Sequence, residues 1–390
     1  MAVINSIAAL EPQMRDWRQW LHRNPELQFD LPKTAAFVAD KLRSFGIAEI
    51  HEGIAQTGIV AIVEGQGDGP TIGLRADMDA LPIQEETGVP HASESPGKMH
   101  ACGHDGHTAM LLGAAKYLAE TRNFSGRVAL IFQPAEEGGG GGDVMVREGV
   151  MDRFEITQIF GIHNAPNLDE GTLHLNDGPL LAAVDEFNFT LIGAGGHGAM
   201  PHETRDPVVA ALALGQGLQT VVSRNHEATQ DLVLSVTQIH AGTANNVIPS
   251  EAKLSGTVRS FAPEVRDMAE ARIRAIGDGI ALSYDVQVDL FYDRGYPATV
   301  NDPAKAKFAA DVARAMLGPD RVDDQTTRVM GAEDFSYMLE ARPGAYAFLG
   351  AGPGAALHHP KFDFNDAIAP VGASFFARLV ETAQPVASAG

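Results

Sequence analysis

The sequence predicts an α/β fold with a mostly parallel mixed sheet, into which a ferredoxin-like α+β domain is inserted. Strand and helix patterns alternate up to Pro179, as they do in α/β layer structures. Between residues 183 and 295 the patterns follow the order β-α-β-β-α-β, which is that of the ferredoxin-like unit. The α/β texture returns after residue 296. We therefore predict one domain from residues 1–182 and 296–390, and an inserted domain from residues 183–295.

The elements of the first domain follow from the spacing of apolar residues. Helical segments carry apolar residues three and four positions apart, and Gly46 closes one of them as a C-terminal cap. Strand segments are short runs that are apolar at nearly every position, as expected where both faces of a sheet are buried. The predicted helices are Ala8–His22, Thr34–Phe45 and His107–Thr121, and the predicted strands are Ile59–Glu64, Thr71–Asp77, Arg127–Gln133 and Gln158–His163.

The inserted domain has its own complete set of patterns. Phe187, Phe189 and Leu191 alternate with polar residues, which predicts a half-buried strand. The remaining predicted elements are a helix over 208–222, strands Leu232–Ile239 and Ala252–Arg259, a helix over 265–280 and a strand over 286–292. Beyond the insertion we predict helices Pro303–Leu317, Asp334–Leu339 and Gly372–Thr382, and a strand Tyr346–Leu349.

Composition and charge exclude several classes of function. The chain has 390 residues, with 29 Lys and Arg against 50 Asp and Glu, so its formal net charge is −21. Nucleic acids and anionic membranes repel a protein of this sign, so neither is an expected partner. Cys102 is the single cysteine, which excludes an internal disulfide. The first thirty residues resemble no secretory signal and no apolar run could cross a bilayer, so we expect a cytoplasmic protein.

Metal-binding side chains are concentrated in a few short segments. The first, residues 99–107 (MHACGHDGH), offers the thiolate of Cys102 and the imidazole of His104 just before a helix. A buried structural cysteine is the alternative interpretation, because free cysteines are among the most buried residues. The second, residues 132–138 (FQPAEEG), places Glu136 and Glu137 at the end of an apolar strand. One carboxylate could bind a metal while the other carries protons, and a solvated acidic turn is the alternative.

Three further segments end predicted strands or lie in loops. His163 ends a strand, His358 and His359 lie in a loop near the C-terminus, and Asp77 and Asp79 follow another strand. A lone histidine in such a place is usually structural, but open α/β sheets build their sites at the carboxyl ends of strands. The two aspartates could bind a metal or orient a ligand imidazole.

The candidate ligands are too many for one tetrahedral site. A thiolate, at least three imidazoles and one or two carboxylates suit two divalent metal ions that share a bridging ligand. The mixed donor set fits Zn or Mn without choosing between them, and Co or Ni are alternatives to be tested.

Several segments together resemble a known family. They are RADMDALP, MHACGHDGHTAMLLGAA, FQPAEEGGGG, GIHNAP, GAGGHGAMPH, GTANNVIP and MGAEDFSYM. In this order they resemble the hippurate hydrolase or N-acyl-amino-acid amidohydrolase family, within the group of two-metal aminoacylases and carboxypeptidases. The resemblance covers essentially the whole chain.

The resemblance implies roles for individual residues. Cys102 would bridge the two metals; Glu137 and His358 would complete one site, and His104 and His163 the other. Glu136 matches the general base and Asp79 a carboxylate that orients the ligands. Asp77 stands where other branches place a histidine ligand, and His359 is a neighbour of the ligand His358.

The resemblance also implies that the inserted domain is a lid and dimerisation domain of a metallohydrolase. His197 matches a histidine that stabilises the oxyanion, often from the partner subunit. Asn246 and Arg259 match residues that hold the substrate carboxylate, a task suited to the planar donors of arginine. Without the resemblance Arg259 would be interpreted as an exposed strand charge, and His226 remains unassigned.

The function that the resemblance implies is cleavage of the amide bond of N-acyl amino acids, a small-molecule substrate, by a cytoplasmic homodimer. A dipeptidase, carboxypeptidase or carbamoylase of the same group is the alternative. A non-catalytic metal- or amino-acid-binding protein is disfavoured because Glu136 and every matched ligand are present. The acyl group and the amino acid are left open.

Overall fold

The computed structural model of the protein describes residues 3–386. Its α-helices are α1 (Asn5–Ala8), α2 (Glu11–Arg23), α3 (Pro32–Ser44), α4 (His104–Thr121), α5 (Gly141–Arg147), α6 (Val150–Arg153), α7 (Pro207–Thr220), α8 (Pro263–Tyr284), α9 (Pro303–Leu317), α10 (Phe335–Ala341) and α11 (Ala369–Ala383). A π-helical turn, Val221–Asn225, continues α7.

The strands alternate with these helices along the chain. They are β1 (Glu49–Ile54), β2 (Gly58–Glu64), β3 (Thr71–Asp77), β4 (Arg127–Gln133), β5 (Ile156–Ala165), β6 (Leu173–His174), β7 (Pro179–Leu181), β8 (Ala183–Ile192), β9 (Gly196–His197), β10 (Leu232–Ala241), β11 (Val247–Ile248), β12 (Glu251–Ser260), β13 (Gln287–Arg294), β14 (Thr299–Val300), β15 (Val322–Asp323) and β16 (Gly344–Gly350).

The chain divides into two compact units. The first is formed by the described parts of Met1–Leu180, Thr299–Thr327 and Asp334–Gly390, and the second by Leu181–Ala298 and Arg328–Glu333. The short segment Arg328–Glu333 thus lies in the second unit, where no boundary was predicted. The terminal residues 1–2 and 387–390 of the predicted first domain lie outside the described residues.

The first unit is built on an eight-stranded mixed sheet with the order β1-β2-β4-β3-β5-β16-β6-β15. The central strands β4, β3, β5 and β16 are parallel, and antiparallel pairs occur towards both margins. Every residue of β3 is buried, so both faces of the sheet are covered there. Because these strands are parallel, their carboxyl ends lie at one edge of the sheet, where Asp77 is paired with Gln133.

The second unit has the ferredoxin-like topology predicted for the insertion. Its antiparallel sheet has the order β10-β12-β8-β13 within the sequence β8-α7-β10-β12-α8-β13. Phe187, Phe189 and Leu191 alternate inwards from β8 and pack with α7 and α8 in a separate core. In the described chain, the helices are all too short or too polar to cross a membrane.

Candidate metal centre

Two groups of metal-binding side chains converge in the first unit and share one residue. In one group the donor atoms of Cys102, His104 and His163 all lie within 4.8 Å of one another. The other group is Cys102, Glu137 and His358, within the same limit. The residues come from the ends of β4 and β5, the start of α4 and the loop that follows β16. The shared thiol is the arrangement that a ligand bridging two cations requires.

The start of α4 brings Cys102 and His104 to the edge of the sheet. Gly103 is the N-cap residue, with φ +97°, a conformation that glycine adopts readily. A Cβ atom at this position would overlap the side chain of Asn164 on β5. The helix therefore begins at His104, three residues before the predicted start, and both His104 and His107 lie in its first turn.

The orientation of His163 is fixed by its neighbour. Its Nδ1–H donates to the backbone carbonyl of Asn164 over 2.7 Å, which leaves Nε2 as the unprotonated nitrogen. Nε2 lies 3.4 Å from Sγ of Cys102. Burial lowers the pKa of His163 well below its usual value, so the ring stays neutral, as a metal ligand must be.

His104 is a buried imidazole surrounded by carboxylates. Both of its ring nitrogens lack a hydrogen-bond partner among residues 3–386, and Nδ1 lies 3.4 Å from an oxygen of Asp79. Burial disfavours the charged ring, but Asp77 and Asp79 outweigh burial and raise the pKa of His104 to about 10. The surroundings of His104 therefore favour positive charge, which a divalent cation would supply.

His358 is held towards Cys102 by its backbone. Its N–H donates to the carbonyl of Ala101 over 2.7 Å, and its φ of +62° is rare for a residue other than glycine. Its Nε2 lies 3.2 Å from Glu137, and this contact raises the pKa of His358. Such backbone conformations persist where the surrounding structure enforces them, often at functional sites.

Asp79 holds the turn that carries the paired glutamates. Its two carboxylate oxygens accept the backbone N–H groups of Glu136 and Glu137, each over 3.0 Å. Since the same carboxylate lies beside Nδ1 of His104, Asp79 links the turn to the helix start. Ala135, which precedes the pair, has φ +55°.

The residues of this cluster fit a pair of divalent cations. Burial, together with the charges of Glu137 and Glu136, raises the pKa of the Cys102 thiol well above its usual value. A thiol in such a place becomes a thiolate only when a cation binds it. The buried nitrogens of His104, which make no hydrogen bond within residues 3–386, are equally suited to a cation.

Asp77, considered above as a ligand or an orienting group, has both oxygens engaged by neighbours. Oδ2 accepts from Nη1 of Arg75 and Oδ1 accepts from Nδ1 of His107, at 2.7 and 2.6 Å. Sequence reasoning assigned no role to Arg75 or His107. An arginine inside the apolar strand TIGLRAD was the signal that could have found the first, because a buried arginine needs a buried acid.

The other predicted site residues lie in the second unit. His197 on β9 faces Val247 on β11, and the carbonyl of Asn246 accepts the N–H of Gly198 over 2.8 Å, so His197 and Asn246 are near neighbours. Both side chains are exposed. Arg259 on β12 is half-buried; it donates to Thr257 and Val258, and no carboxylate of the described residues lies within ion-pair distance of it.

The two unassigned histidines have local partners. Nδ1 of His359 accepts the N–H of Lys361 over 3.0 Å, which holds its own loop. The ring nitrogens of His226 contact the carbonyls of Val222 and Gln230 at the end of the π-helical turn. Neither residue belongs to a group of candidate ligands in the described chain.

Comparison with known proteins places this geometry in a family. Hippurate hydrolase of Campylobacter jejuni is 40% identical over 97% of this chain and 98% of its own length. N-acetyl-L-cysteine deacetylase of Bacillus subtilis is 41% identical, over 97% and 89%. The solved structure of the YxeP protein of Bacillus subtilis, described as a dinuclear metal-binding peptidase, has a TM-score of 0.84 and 34% identity, covering 97% of this chain and 99% of that one. Residues 73–382 match the model of peptidase family M20/M25/M40, and the chain belongs to this family.

Proposed function

We propose that this protein hydrolyses the amide bond of N-acyl amino acids, releasing a carboxylic acid and a free amino acid. The observation that carries the proposal is the pair of donor groups that share Cys102, with Glu136 and Glu137 on the adjoining turn. Membership of a family of amide-bond hydrolases and the similarity to hippurate hydrolase and to N-acetylcysteine deacetylases support it.

Each metal site would use three residues of this chain. Cys102, Glu137 and His358 would hold one divalent ion, and Cys102, His104 and His163 the other, with Zn, Mn, Co and Ni as the ions to be compared. When bound, such ions polarise the scissile carbonyl and acidify the attacking water. The five ligands come from four separate parts of the first unit.

Glu136 would carry the proton. Its side chain is largely buried, and the bond from its backbone N–H to Asp79 fixes the start of the side chain. In the proposed reaction its carboxylate accepts a proton from the attacking water and delivers that proton to the leaving amine. Oxygens of both glutamates lie within 4.8 Å of His104, but only Glu137 also groups with Cys102 and His358, so in this proposal Glu137 binds the metal and Glu136 carries the proton.

Residues of the second unit would bind two negatively charged groups, the oxyanion of the intermediate and the carboxylate of the substrate. Nδ1 of His197 accepts the N–H of Ala199 over 3.0 Å, so the neutral ring carries its proton on Nε2. That N–H could donate to the oxyanion of the tetrahedral intermediate. Arg259, with no acidic partner in the described chain, and Asn246 would hold the substrate carboxylate.

A carboxypeptidase activity is the second candidate. Thermostable carboxypeptidase 2 of Saccharolobus solfataricus is 38% identical over 96% of this chain. A dipeptide differs from an N-acyl amino acid by the ammonium group next to the scissile carbonyl. Comparing N-acetyl, N-benzoyl and N-carbamoyl amino acids with matching dipeptides therefore separates the candidates, and faster turnover of dipeptides would overturn the proposal.

The test of mechanism is Glu136→Gln in enzyme stripped of metal and reloaded with each ion in turn. We expect kcat to fall about a hundredfold or more while both ions remain bound, because the amide cannot accept the proton. Glu381→Gln is the matched control, since this buried carboxylate is bonded to Tyr117, far along α4 from His104. Near-normal turnover by metal-loaded Glu136→Gln would show that another group is the base.

We further propose a cytoplasmic homodimer that associates through the second unit. Strand β10 is an edge strand with Ile239 exposed, and α7 exposes Val209 and Leu212. Unpaired edges and adjacent apolar residues are features that protein contacts cover. Leu212→Glu should yield a monomer in light scattering, whereas Leu282→Glu on α8 should leave the dimer intact. A Leu212→Glu dimer as stable as the wild type would exclude this face.

A further inference from the structure

Asp334 belongs to the segment MGAEDFSYM and has no part in the proposed reaction itself. It is fully buried in the first unit, at the N-cap position of α10. Its carboxylate reaches three other elements: β3, β4 and the start of α5. A buried carboxylate so far from solvent must be compensated by donors, and the identity of those donors indicates its task.

The carboxylate of Asp334 accepts hydrogen bonds from Arg75, Gln133 and Gly142. Oδ1 accepts from Nη2 of Arg75 over 2.9 Å and from Nε2 of Gln133 over 2.7 Å. Oδ2 lies 2.8 Å from the same Gln133 nitrogen and accepts the backbone N–H of Gly142 over 2.7 Å. Nε of Arg75 in turn donates to Oε1 of Gln133 over 2.8 Å, which closes a ring of three side chains.

Gln133 and Gly142 bracket the turn that carries the paired glutamates. Gln133 is the last residue of β4 and Gly142 is the second residue of α5, so residues 134–141 form the connection between them. Asp334 therefore holds both ends of this connection, and Asp79 holds its middle through the N–H groups of Glu136 and Glu137. A carboxylate oxygen of Glu136 lies within 4.8 Å of one of Asp334.

The charge of Asp334 matters as well as its shape. Arg75 is almost fully buried and shares its guanidinium between Asp77 and Asp334. Removing one acid leaves a buried charge with less compensation, which is costly in an apolar interior. An asparagine at this position would also present an amide donor to groups that are themselves donors.

We propose that Asp334 is a positioning residue, which fixes the turn at residues 134–141 so that Glu136 and Glu137 keep their separate orientations. This inference rests on the proposed roles of Glu136 in proton transfer and of Glu137 as a metal ligand. Through its bonds to Gln133 and Gly142, Asp334 of the MGAEDFSYM segment would hold the two glutamates in place.

The decisive variant is Asp334→Asn, which preserves size. We expect kcat to fall about tenfold or more with KM little changed, because small displacements of a catalytic group are costly to the rate. Titration of the metal-stripped protein with Zn²⁺ should show one ion weakened at least about tenfold, the one that depends on Glu137, and the other bound as in the wild type. That asymmetry is a readout that general destabilisation does not produce.

Glu381→Gln supplies the matched control. Glu381 is a buried carboxylate bonded to Tyr117, Asn123 and Arg378, and Tyr117 lies thirteen residues along α4 from His104, about 20 Å away. It should lower the melting temperature without changing kcat or either Zn²⁺ affinity. Wild-type kcat and Zn²⁺ binding in Asp334→Asn would overturn the inference, as would equal weakening of both ions in both variants.

A milder variant tests the inference if Asp334→Asn does not fold. Gln133→Met removes one of the donors and leaves the bonds from Arg75 and Gly142 in place. It should weaken the same single ion by a smaller factor, and unchanged affinities would contradict the inference. Failure of the proposed function can be told apart from failure of this inference. If the wild type hydrolyses no N-acyl amino acid, the Zn²⁺ titrations still measure whether the Asp334 and Gln133 variants weaken one ion.

Discussion

In the first unit the candidate ligands Cys102, His104 and His163 are buried and only His358 is exposed, whereas in the second unit His197 and Asn246 are exposed and Arg259 is half-buried. The cluster around Cys102 has features of a cation site, such as the buried ring nitrogens of His104, which make no hydrogen bond within the described residues. An exposed side chain shows no such signs, because water satisfies it. Burial therefore makes a metal site recognisable from one structure, while a substrate-binding residue needs a functional test.

The first prediction concerns a variant that disrupts the buried metal centre. Cys102→Ala removes the residue common to both donor groups, so both ions should bind more weakly. We expect kcat/KM to fall about a thousandfold or more, since the water loses the cations that acidify it. Activity and metal content by elemental analysis measure the effect.

His359→Ala is the control for this variant. His359 neighbours the ligand His358 but bonds within its own loop. It should retain two ions and most of the activity. A Cys102→Ala enzyme with two tightly bound ions would show that the thiol is not the bridge.

The second prediction concerns the exposed region. His197→Ala removes the N–H that the bond from Ala199 places on Nε2. We expect kcat to fall about a hundredfold, the scale of one oxyanion donor, with KM and metal content little changed. His202→Ala, in the same loop and also exposed, should be near wild type.

Mixed subunits determine which chain His197 serves. Heterodimers of His197→Ala with Glu136→Gln contain one complete set of residues if His197 acts across the dimer. Recovered activity after confirmed subunit exchange would assign His197 to the partner's site. No recovery would assign it to its own chain.

The third prediction separates binding from chemistry. Arg259→Met removes the charge expected to meet the substrate carboxylate, so KM should rise about tenfold to a hundredfold, the value of a charged hydrogen bond. Arg272→Met on the exposed face of α8 is the control, and steady-state kinetics is the measurement. An unchanged KM would mean that the carboxylate is bound elsewhere.

The same contrast explains what could be predicted from the sequence. The bounds of β3 and β4 were predicted as they are observed, because both strands are short, mostly apolar runs that are buried on both faces. Strand β1 was missed, since three of the six residues in EIHEGI are polar and the strand is largely exposed at the sheet margin. The mixed α/β architecture with its ferredoxin-like insertion is confirmed.

For the site, local motifs were informative and distant pairings were not. Cys102, Glu137 and His163 stand in short segments rich in metal-binding side chains, so they could be proposed as candidates from the sequence, and the family resemblance then suggested their roles. The bond between Arg75 and Asp334 joins residues that lie 259 positions apart, and periodicity carries no trace of it. The roles of the site residues in both units stay predictions for the experiments above.

The last prediction, with the smallest expected effect, concerns a buried histidine outside the candidate metal centre. It tests whether the charge of that histidine contributes to stability. His22, on α2, is fully buried between Asp105 and Glu85, with Nδ1 2.8 Å from the first and Nε2 3.3 Å from the second. Burial opposes the charged ring, but the two carboxylates outweigh burial and raise the pKa of His22 to about 9. Because the pKa is raised on folding, its contribution to stability is complete below the ordinary value of 6.5 and is lost as pH rises towards 9.

Urea unfolding of wild type and His22→Gln in chelator, at several pH values from 6 to 9, measures this contribution. The difference in unfolding free energy between the two proteins should shrink across that window by up to about 3 kcal/mol. His51→Gln is the control, because His51 contacts Glu49 at the surface and should give a small difference at every pH. If the His22→Gln difference is also constant with pH, folding does not raise the pKa of the ring, and its two carboxylate contacts do not stabilise its charged form. In that case a buried ionisable side chain of this unit would indicate a functional site only where several candidate ligands converge, as they do at Cys102.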